Sequence, residues 1–448
     1  MDYQGFKNAV IAQAEAMGIA EYELYYQVGS STSIDTFRHE INEFSSSESG
    51  GVCFRCIVDG KMGYASTEDL SSEQAKSVVE KAVDNARALE AEEQVFLCQG
   101  GQEYEVLDRK PYALPSTDEL IATALAVEKK LYDADPAVID GSQVNAISEQ
   151  SAVAIYNSKG LDLYYENSVS GLVTVAVVTN GTEMSNDYQI KLGKLDTLDT
   201  DALTKKAVDT AKQKLGGDVA PTAVCPVVFN PDAMCNLLSV FSSVFSSEAA
   251  QKGLSKLSGK EETKIASSVV TLVDDPFHPE NPEPIPFDAE GCPTHKKLVI
   301  ENGVFKTLLY NMKTAAVAGK KTTGNAAKGG YDAPVGIRPF TMYLAGGEYT
   351  EEELLAKAGS GVYINDLSGL HAGANPISGD FSLQSAGFMI RDGKKAEYVK
   401  SFTVAGNFYD LLNQITAAAN NVTLPAAFGM TAFGSPSVLV ENLSVAGK

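Results

Sequence analysis

Apolar residues recur along this chain with two periods, and the switches between them mark out its elements. Phe6, Val10, Ala14 and Met17 follow one another at three- and four-residue spacing, which predicts a helix over 5–18. Residues 21–28, 33–37 and 51–58 alternate instead, as half-buried strands do. Val58-Asp59-Gly60-Lys61 carries the Asp-Gly pair of a tight hairpin. A second helix is predicted from about Ser71 to Leu89, capped by Ser72, with Ala75, Val78, Val79 and Ala82 facing inward. Residues 92–115 read as irregular, broken by Pro111 and Pro115. A third helix starts at Ser116 and runs to Asp133; Ser116 and Glu119 have the spacing of a capping box. Residues 144–156 and 161–179 are strand-rich about a hairpin at Asn157-Ser158-Lys159-Gly160, and 200–215 is helical.

Gly216-Gly217-Asp218-Val219-Ala220-Pro221 interrupts both periods and reads as a domain boundary. A strand over 223–230 then leads into an apolar helical stripe: Leu237, Leu238, Phe241, Val244, Phe245 and Ala249. Asn230 caps this helix, Pro231 suits its first turn, and Gly253 stops it. Beyond it the pattern is mostly β, with hairpin signals at Asn302-Gly303 and Asp392-Gly393 and short helices over 351–358 and 408–418. Helix-and-sheet units followed by a run of strands predict an α+β fold rather than a parallel α/β sheet. The expected organisation is an N-terminal α+β unit over 1–110, a middle α+β unit over 111–218, and a sheet-dominated, barrel-like C-terminal domain over 222–448.

Composition narrows the function. The 448 residues carry 36 basic and 58 acidic side chains, a net charge of −22. Such a surface repels phosphate backbones, which argues against nucleic acid as a direct partner. No apolar run reaches the length of a membrane span, and the N-terminus lacks a signal-peptide pattern, so a cytoplasmic location is expected. Six scattered cysteines in so long a chain fit reduced thiols better than a disulfide framework.

Candidate chemistry is sparse. Cys53-Phe54-Arg55-Cys56 is a CxxC, yet it sits inside an alternating strand, where an offset of three places the thiols on opposite faces. That favours structural cysteines over a metal or redox pair. The segment Gly253–Lys260 has the wrong spacing for a phosphate loop, and Glu261 stands where a magnesium-binding hydroxyl belongs. Residues 273–295 gather Asp274, Asp275, His278, Asp288, Glu290, Cys292 and His295. These are ligand types, but the intervals match no metal site, and a loop with Asp-held turns is the favoured reading. No Ser–His–Asp or Cys–His arrangement can be built, and Gly-x-Ser-x-Gly is absent.

Six short motifs then follow in order: Lys264-Ile265-Ala266-Ser267, Asp274-Asp275-Pro276, Phe287-Asp288-x-Glu290-Gly291-x-Pro293-Thr294, Thr323-Gly324-Asn325-Ala326, Gly379-Asp380-Phe381-Ser382 and Thr403-Val404-Ala405-Gly406-Asn407. With Pro436–Val440 near the end and Gly63-x-Ala65-x-Thr67-x-Asp69-Leu70 near the start, the chain resembles the TldD/PmbA family over nearly its whole length. That family is known both as modulators of DNA gyrase and as metallopeptidases. The resemblance implies two branches that form a heterodimeric peptidase. The TldD-like branch carries HExxxH on a helix, with a late cysteine as a further zinc ligand.

Matched to that helix, this sequence has Ser247 for the first histidine, Glu248 for the glutamate and Lys252 for the second histidine, and no cysteine follows Cys292. The resemblance therefore implies the PmbA/TldE-like branch, with no catalytic or metal residues and no cofactor in this chain. Zinc is expected in a TldD-like partner. Glu248 and Lys252 are expected to form an i,i+4 ion pair. The implied task is proteolysis of unfolded proteins or trimming of peptides. Loops at Thr323, Gly324 and Asn325, at Gly379, Asp380 and Phe381, and at Thr403, Gly406 and Asn407 are the candidate substrate contacts. Tight turns in a barrel-like sheet are the competing reading. Two alternatives stay open: a homodimeric binding or scaffold protein, and a stand-alone hydrolase with another metal site at His278, Cys292 and His295.

Overall fold

The computed structural model of the chain describes residues 1–90, 94–107, 111–425 and 431–448. The expected boundary at residue 110 and part of the irregular stretch 92–115 lie outside them. Six antiparallel strands make the N-terminal sheet: β1 (Glu21–Phe37), β2 (Glu40–Val58), β3 (Lys61–Thr67), β4 (Gln143–Asn157), β5 (Asp162–Thr179) and β6 (Met184–Leu192). Their order is β3-β2-β1-β4-β5-β6, so one sheet joins the first helix-and-sheet unit to the second. The β2–β3 turn has positive φ at Asp59 and Gly60, as the Asp-Gly signal predicts. β1 and β2 are longer than the alternation suggests. Glu40–Ser49 is exposed on both faces and has no apolar period to read; pairing with β1 alone makes it a strand.

Four helices cover one face of this sheet. α1 (Tyr3–Ala16) and α2 (Ser72–Ala88) pack over Tyr22, Leu24, Phe54 and Cys56. α3 (Thr117–Ala134) and α4 (Thr200–Gln213) pack over Ile34, Val144, Ala146 and Leu172. The Ser116–Glu119 capping box is complete. Two expectations shift slightly. Ser71, not Ser72, caps α2, because its side chain accepts the Gln74 N–H. Met17 ends α1 exposed instead of joining its buried stripe.

In the C-terminal half, Val438–Ala446, Ala223–Phe229, Gly361–Ser368, Asp380–Arg391 and Lys394–Asn407 pair in that order. Lys394–Asn407 also pairs back to Val438–Ala446, closing a five-strand barrel. A second sheet holds Val304–Phe305, Lys297–Glu301, Leu272–Asp274, Thr341–Leu344 and Ala432–Gly434. Both sheets share one apolar core, in which Phe241 stacks on Phe408 with ring centroids 4.5 Å apart. Full burial of each such ring contributes about 1.5–3 kcal/mol. The Asn302-Gly303 and Asp392-Gly393 turns form as expected, with positive φ at all four residues.

The expected helix over 231–252 is broken. α5 (Pro231–Phe241) is capped by Asn230 and passes into a 3₁₀ turn at Ser242–Phe245. Ser246 is extended, with ψ 127°, and α6 (Ser247–Gln251) starts afresh. The cause is tertiary. The backbone at this point pairs with another segment: Ser247 N–H donates to Leu309 O, and Leu309 N–H to Phe245 O. The run Ser242-Ser243-Val244 offers little helix propensity to resist that pairing. The helix expected over 408–418 likewise stops at Gln414, and Ile415–Ala418 becomes a strand against Val438–Val440.

Candidate functional site

α6 carries the three positions aligned with the zinc motif. The Ser247 side chain is fully buried, and its Oγ donates to Thr314 Oγ1 at 2.8 Å. Glu248 and Lys252 pair with each other at 2.6 Å, as the i,i+4 spacing predicts, with both side chains partly in solvent. This donor set does not fit zinc. A hydroxyl committed to a neighbouring threonine is a poor ligand, and the Lys252 ammonium brings positive charge to where the cation would sit. Among the described residues, no three His, Cys, Asp or Glu side chains converge to hold a metal ion. His278 stands edge-on to Tyr343, while Cys292 is buried against Cys98.

The motif loops border α6 on two sides. On one side, the segment Leu309–Thr314 that pairs with Ser246 and Ser247 also binds the Thr323 loop: Tyr310 N–H donates to Thr323 Oγ1 at 2.7 Å. Asn325 in that loop is buried. It bonds Asp274 Oδ2, Arg338 O and Lys297 Nζ, which itself bonds Asp274. The Asp-Asp-Pro and Thr-Gly-Asn motifs therefore join through a buried ion pair. Gly324 has φ +67°, and a Cβ there would lie 2.3 Å from Pro293 O.

On the other side, Lys256 follows α6, donates to Ser378 O at 2.6 Å and lies over the Tyr409 ring. Gly379, Asp380 and Asn407 stand at this end of the barrel. Asn407 Nδ2 donates to Asp380 Oδ1 at 2.8 Å, and this bond with that of Ser378 holds the Asp380 carboxyl below its usual range. Phe381, Thr403 and Gly406 are barrel staves. Phe381 is buried beside Phe241, and Gly406 leaves it room.

A third cluster lies between the halves, on the sheet face opposite the helices. Strand alternation sends Glu23, Tyr25, Cys53 and Arg55 to this face, with Ile155 and Asn157 beside them. The CxxC pair is therefore split as expected. Cys56 packs under the helices, and Cys53 packs against Tyr25 and Phe287. Opposite stand Asp288, Glu290, Cys292 and Lys328 of the C-terminal half. The Asp288 carboxylate accepts the N–H groups of Glu290, Cys292 and Ala326. Burial and the adjacent Glu290 nevertheless push its pKa up. Burial raises Glu290 as well, partly opposed by Arg55 and by the Met312 N–H. Lys328 lies 4.4 Å over the Tyr25 ring, and burial pulls its pKa down.

Of this cluster, the sequence singled out the Asp288–Cys292 loop and, through the CxxC, Cys53, with Arg55 named only as a spacer; it did not single out Glu23, Cys98 or Lys328. The available signal was Arg55 inside the otherwise apolar run Val52–Val58, and Glu23 between Tyr22 and Leu24.

The motifs on these two sides of α6 belong to a known class of protein. The PmbA/TldA metallopeptidase domain 1 matches residues 22–86, the central domain 110–215, and the C-terminal domain 222–447. The chain belongs to the PmbA/TldD metallopeptidase family. A Thermotoga maritima protein described as a putative modulator of a DNA gyrase has the same fold, with TM-score 0.90 and 30% identity, covering 99% of this chain and 100% of that one. TldE from Thermococcus kodakarensis matches with TM-score 0.87 and 26% identity, over 98% and 99% of the two chains. Metalloprotease PmbA of Escherichia coli O157:H7 is 23% identical over 427 residues, 93% of this chain and 90% of that one.

Proposed function

We propose that this chain is the TldE/PmbA-like subunit of a peptidase completed by a TldD-like, HExxxH-bearing partner that supplies the zinc. The observation that carries this reading is the state of α6. Ser247 is tied to Thr314 and Lys252 to Glu248, so the motif positions serve packing and a surface ion pair. The likeness in fold to TldE supports it.

The substrate class is unfolded protein or extended peptide. The outer edge of β2 over Glu40–Gly50 is a suitable holding surface: β3 pairs with Val52–Val58, and among the described residues no strand pairs with that edge over Glu40–Gly50, where an added strand could pair. Such pairing tolerates varied side chains, as a peptidase of unfolded chains requires. Direct action on DNA is disfavoured by the net charge of −22.

The test combines metal analysis with a peptidase assay on an unfolded protein, run on the chain alone and with its HExxxH paralogue. A metal-free chain that is inert alone but active in the mixture supports the reading. Stoichiometric zinc and cleavage by the chain alone overturn it.

A further inference from the structure

Two cysteines unused by the proposed function meet at the seam between the halves. Cys98 lies in the segment 94–107, a strap with no helix or strand. Cys292 lies in the loop after Asp288. They are 194 residues apart in sequence, each is only 3% exposed, and Cys292 Sγ donates to Cys98 Sγ at 3.1 Å. All six cysteines are free thiols, and among the described residues no other pair shows a sulfur–sulfur contact.

Among the described residues, these side-chain and backbone bonds tie the strap to its surroundings. Asn157 Nδ2 donates to Cys98 O at 2.9 Å, and Gly100 N–H and Gln99 Nε2 both donate to Lys159 O at 3.0 Å. Tyr104 OH donates to Gly291 O at 2.8 Å. Gln99, Gly101, Gln102 and Glu103 are exposed. Leu97 and Cys98 are buried, and Tyr104 stands edge-on to Phe287, so opening the strap exposes these groups but breaks no strand pairing.

We propose that Cys98 and Cys292 form a redox modification site, which a two-electron oxidant of the peroxide class converts to an intramolecular disulfide fastening the strap to the C-terminal half. Cys98 Sγ attacks a peroxide oxygen, the O–O bond breaks, and one water leaves with the thiol proton, giving a sulfenic acid. Cys292 Sγ then displaces that hydroxyl; the S–S bond forms and a second water leaves. Two thiols are oxidised, and one peroxide is reduced to two waters. While the strap is closed, burial shields both thiols from an oxidant, so reaction follows opening of the strap. The disulfide would bridge the turn at Asn157–Gly160 and the Asp288–Cys292 loop through the strap. It closes a very long loop, the condition under which a cross-link restricts the unfolded chain most.

The test uses the full chain, reduced, desalted and titrated with hydrogen peroxide. Remaining thiols are then blocked with a maleimide, and the peptides are mapped without reductant. The expected result is one linked peptide pair containing Cys98 and Cys292, a mass loss of two hydrogens, reversal by dithiothreitol, and an upward shift of the thermal midpoint by a few degrees. Cys98→Ser abolishes both the linked pair and the shift. Cys292→Ala gives the same loss, with sulfenic acid trapped at Cys98 by a dimedone probe. Recovery of both thiols as maleimide adducts after peroxide treatment overturns the proposal. So does a disulfide that joins either cysteine to a different one. Both readouts come from the wild-type chain, so they hold even if a variant folds poorly, and neither depends on peptidase activity.

Discussion

Glu23 and Arg55 stand directly opposite each other on β1 and β2, and Glu23 Oε1 lies 2.7 Å from both Nε and Nη2 of Arg55. Both side chains are almost wholly buried between the sheet and the C-terminal half. Removing one partner of such a pair strands the other charge away from water. Arg55→Met is expected to destabilise by about 3–5 kcal/mol, whereas Glu23→Leu combined with Arg55→Met recovers most of the loss. Urea midpoints of the two variants check this, and equal losses would refute it.

Glu248 occupies the position of the motif glutamate, and its carboxylate pairs with Lys252. Glu248→Gln is expected to change stability by less than about 0.5 kcal/mol and to leave cleavage by the assembled peptidase within twofold of wild type. A fall of a hundredfold or more in kcat would mean that this glutamate acts on substrate.

The Asp288 carboxyl has its pKa raised on folding, so the folded state holds a proton that the unfolded chain has already lost. Stability from this group is complete below the ordinary aspartate range, near pH 4, and declines as pH rises through the higher folded value. Facing it are Glu290, Cys292, Tyr25 and Tyr104, while Arg55 acts on the neighbouring Glu290. Asp288→Asn is expected to flatten the fall in thermal midpoint between mildly acidic and mildly alkaline pH. An unchanged slope would place the dependence elsewhere.

Gly291 has φ +78°, and a Cβ there would come within 2.5 Å of Leu161 Cδ1. Gly291→Ala therefore combines left-handed strain with a clash across the seam, a cost of about 2–3 kcal/mol. Gly181→Ala is the control: its φ is +90°, but its Cβ would meet open space, so only the strain, about 1–2 kcal/mol, is expected. Thermal unfolding of the two variants separates the contributions.

Much of this architecture was legible in the chain because its signals are local. The Ser116–Glu119 box, the Asp59-Gly60 and Asn302-Gly303 turns and the opposed faces of Cys53 and Cys56 each follow from a few adjacent residues. What escaped was set by pairing partners outside the segment itself. Glu40–Ser49 is a strand because β1 pairs with it, and Ser246 breaks a helix because Leu309 does. The same holds for the candidate sites. The i,i+4 pair of Glu248 and Lys252 was readable, but the meeting of Cys98 with Cys292, and of Arg55 with Glu290, needs the two halves brought together.

The barrel has a consequence for how the protein is made. Its closing stave, Val438–Ala446, pairs with both Ala223–Phe229 and Lys394–Asn407, so the ring cannot shut until residue 446 has left the ribosome. For more than two hundred residues of synthesis, the edges of Ala223–Phe229 and of the strands that follow are open to unintended neighbours. The N-terminal sheet needs no residue beyond its own six strands to complete its pairing. It is free to form first, while the nascent barrel stays open until the end of synthesis.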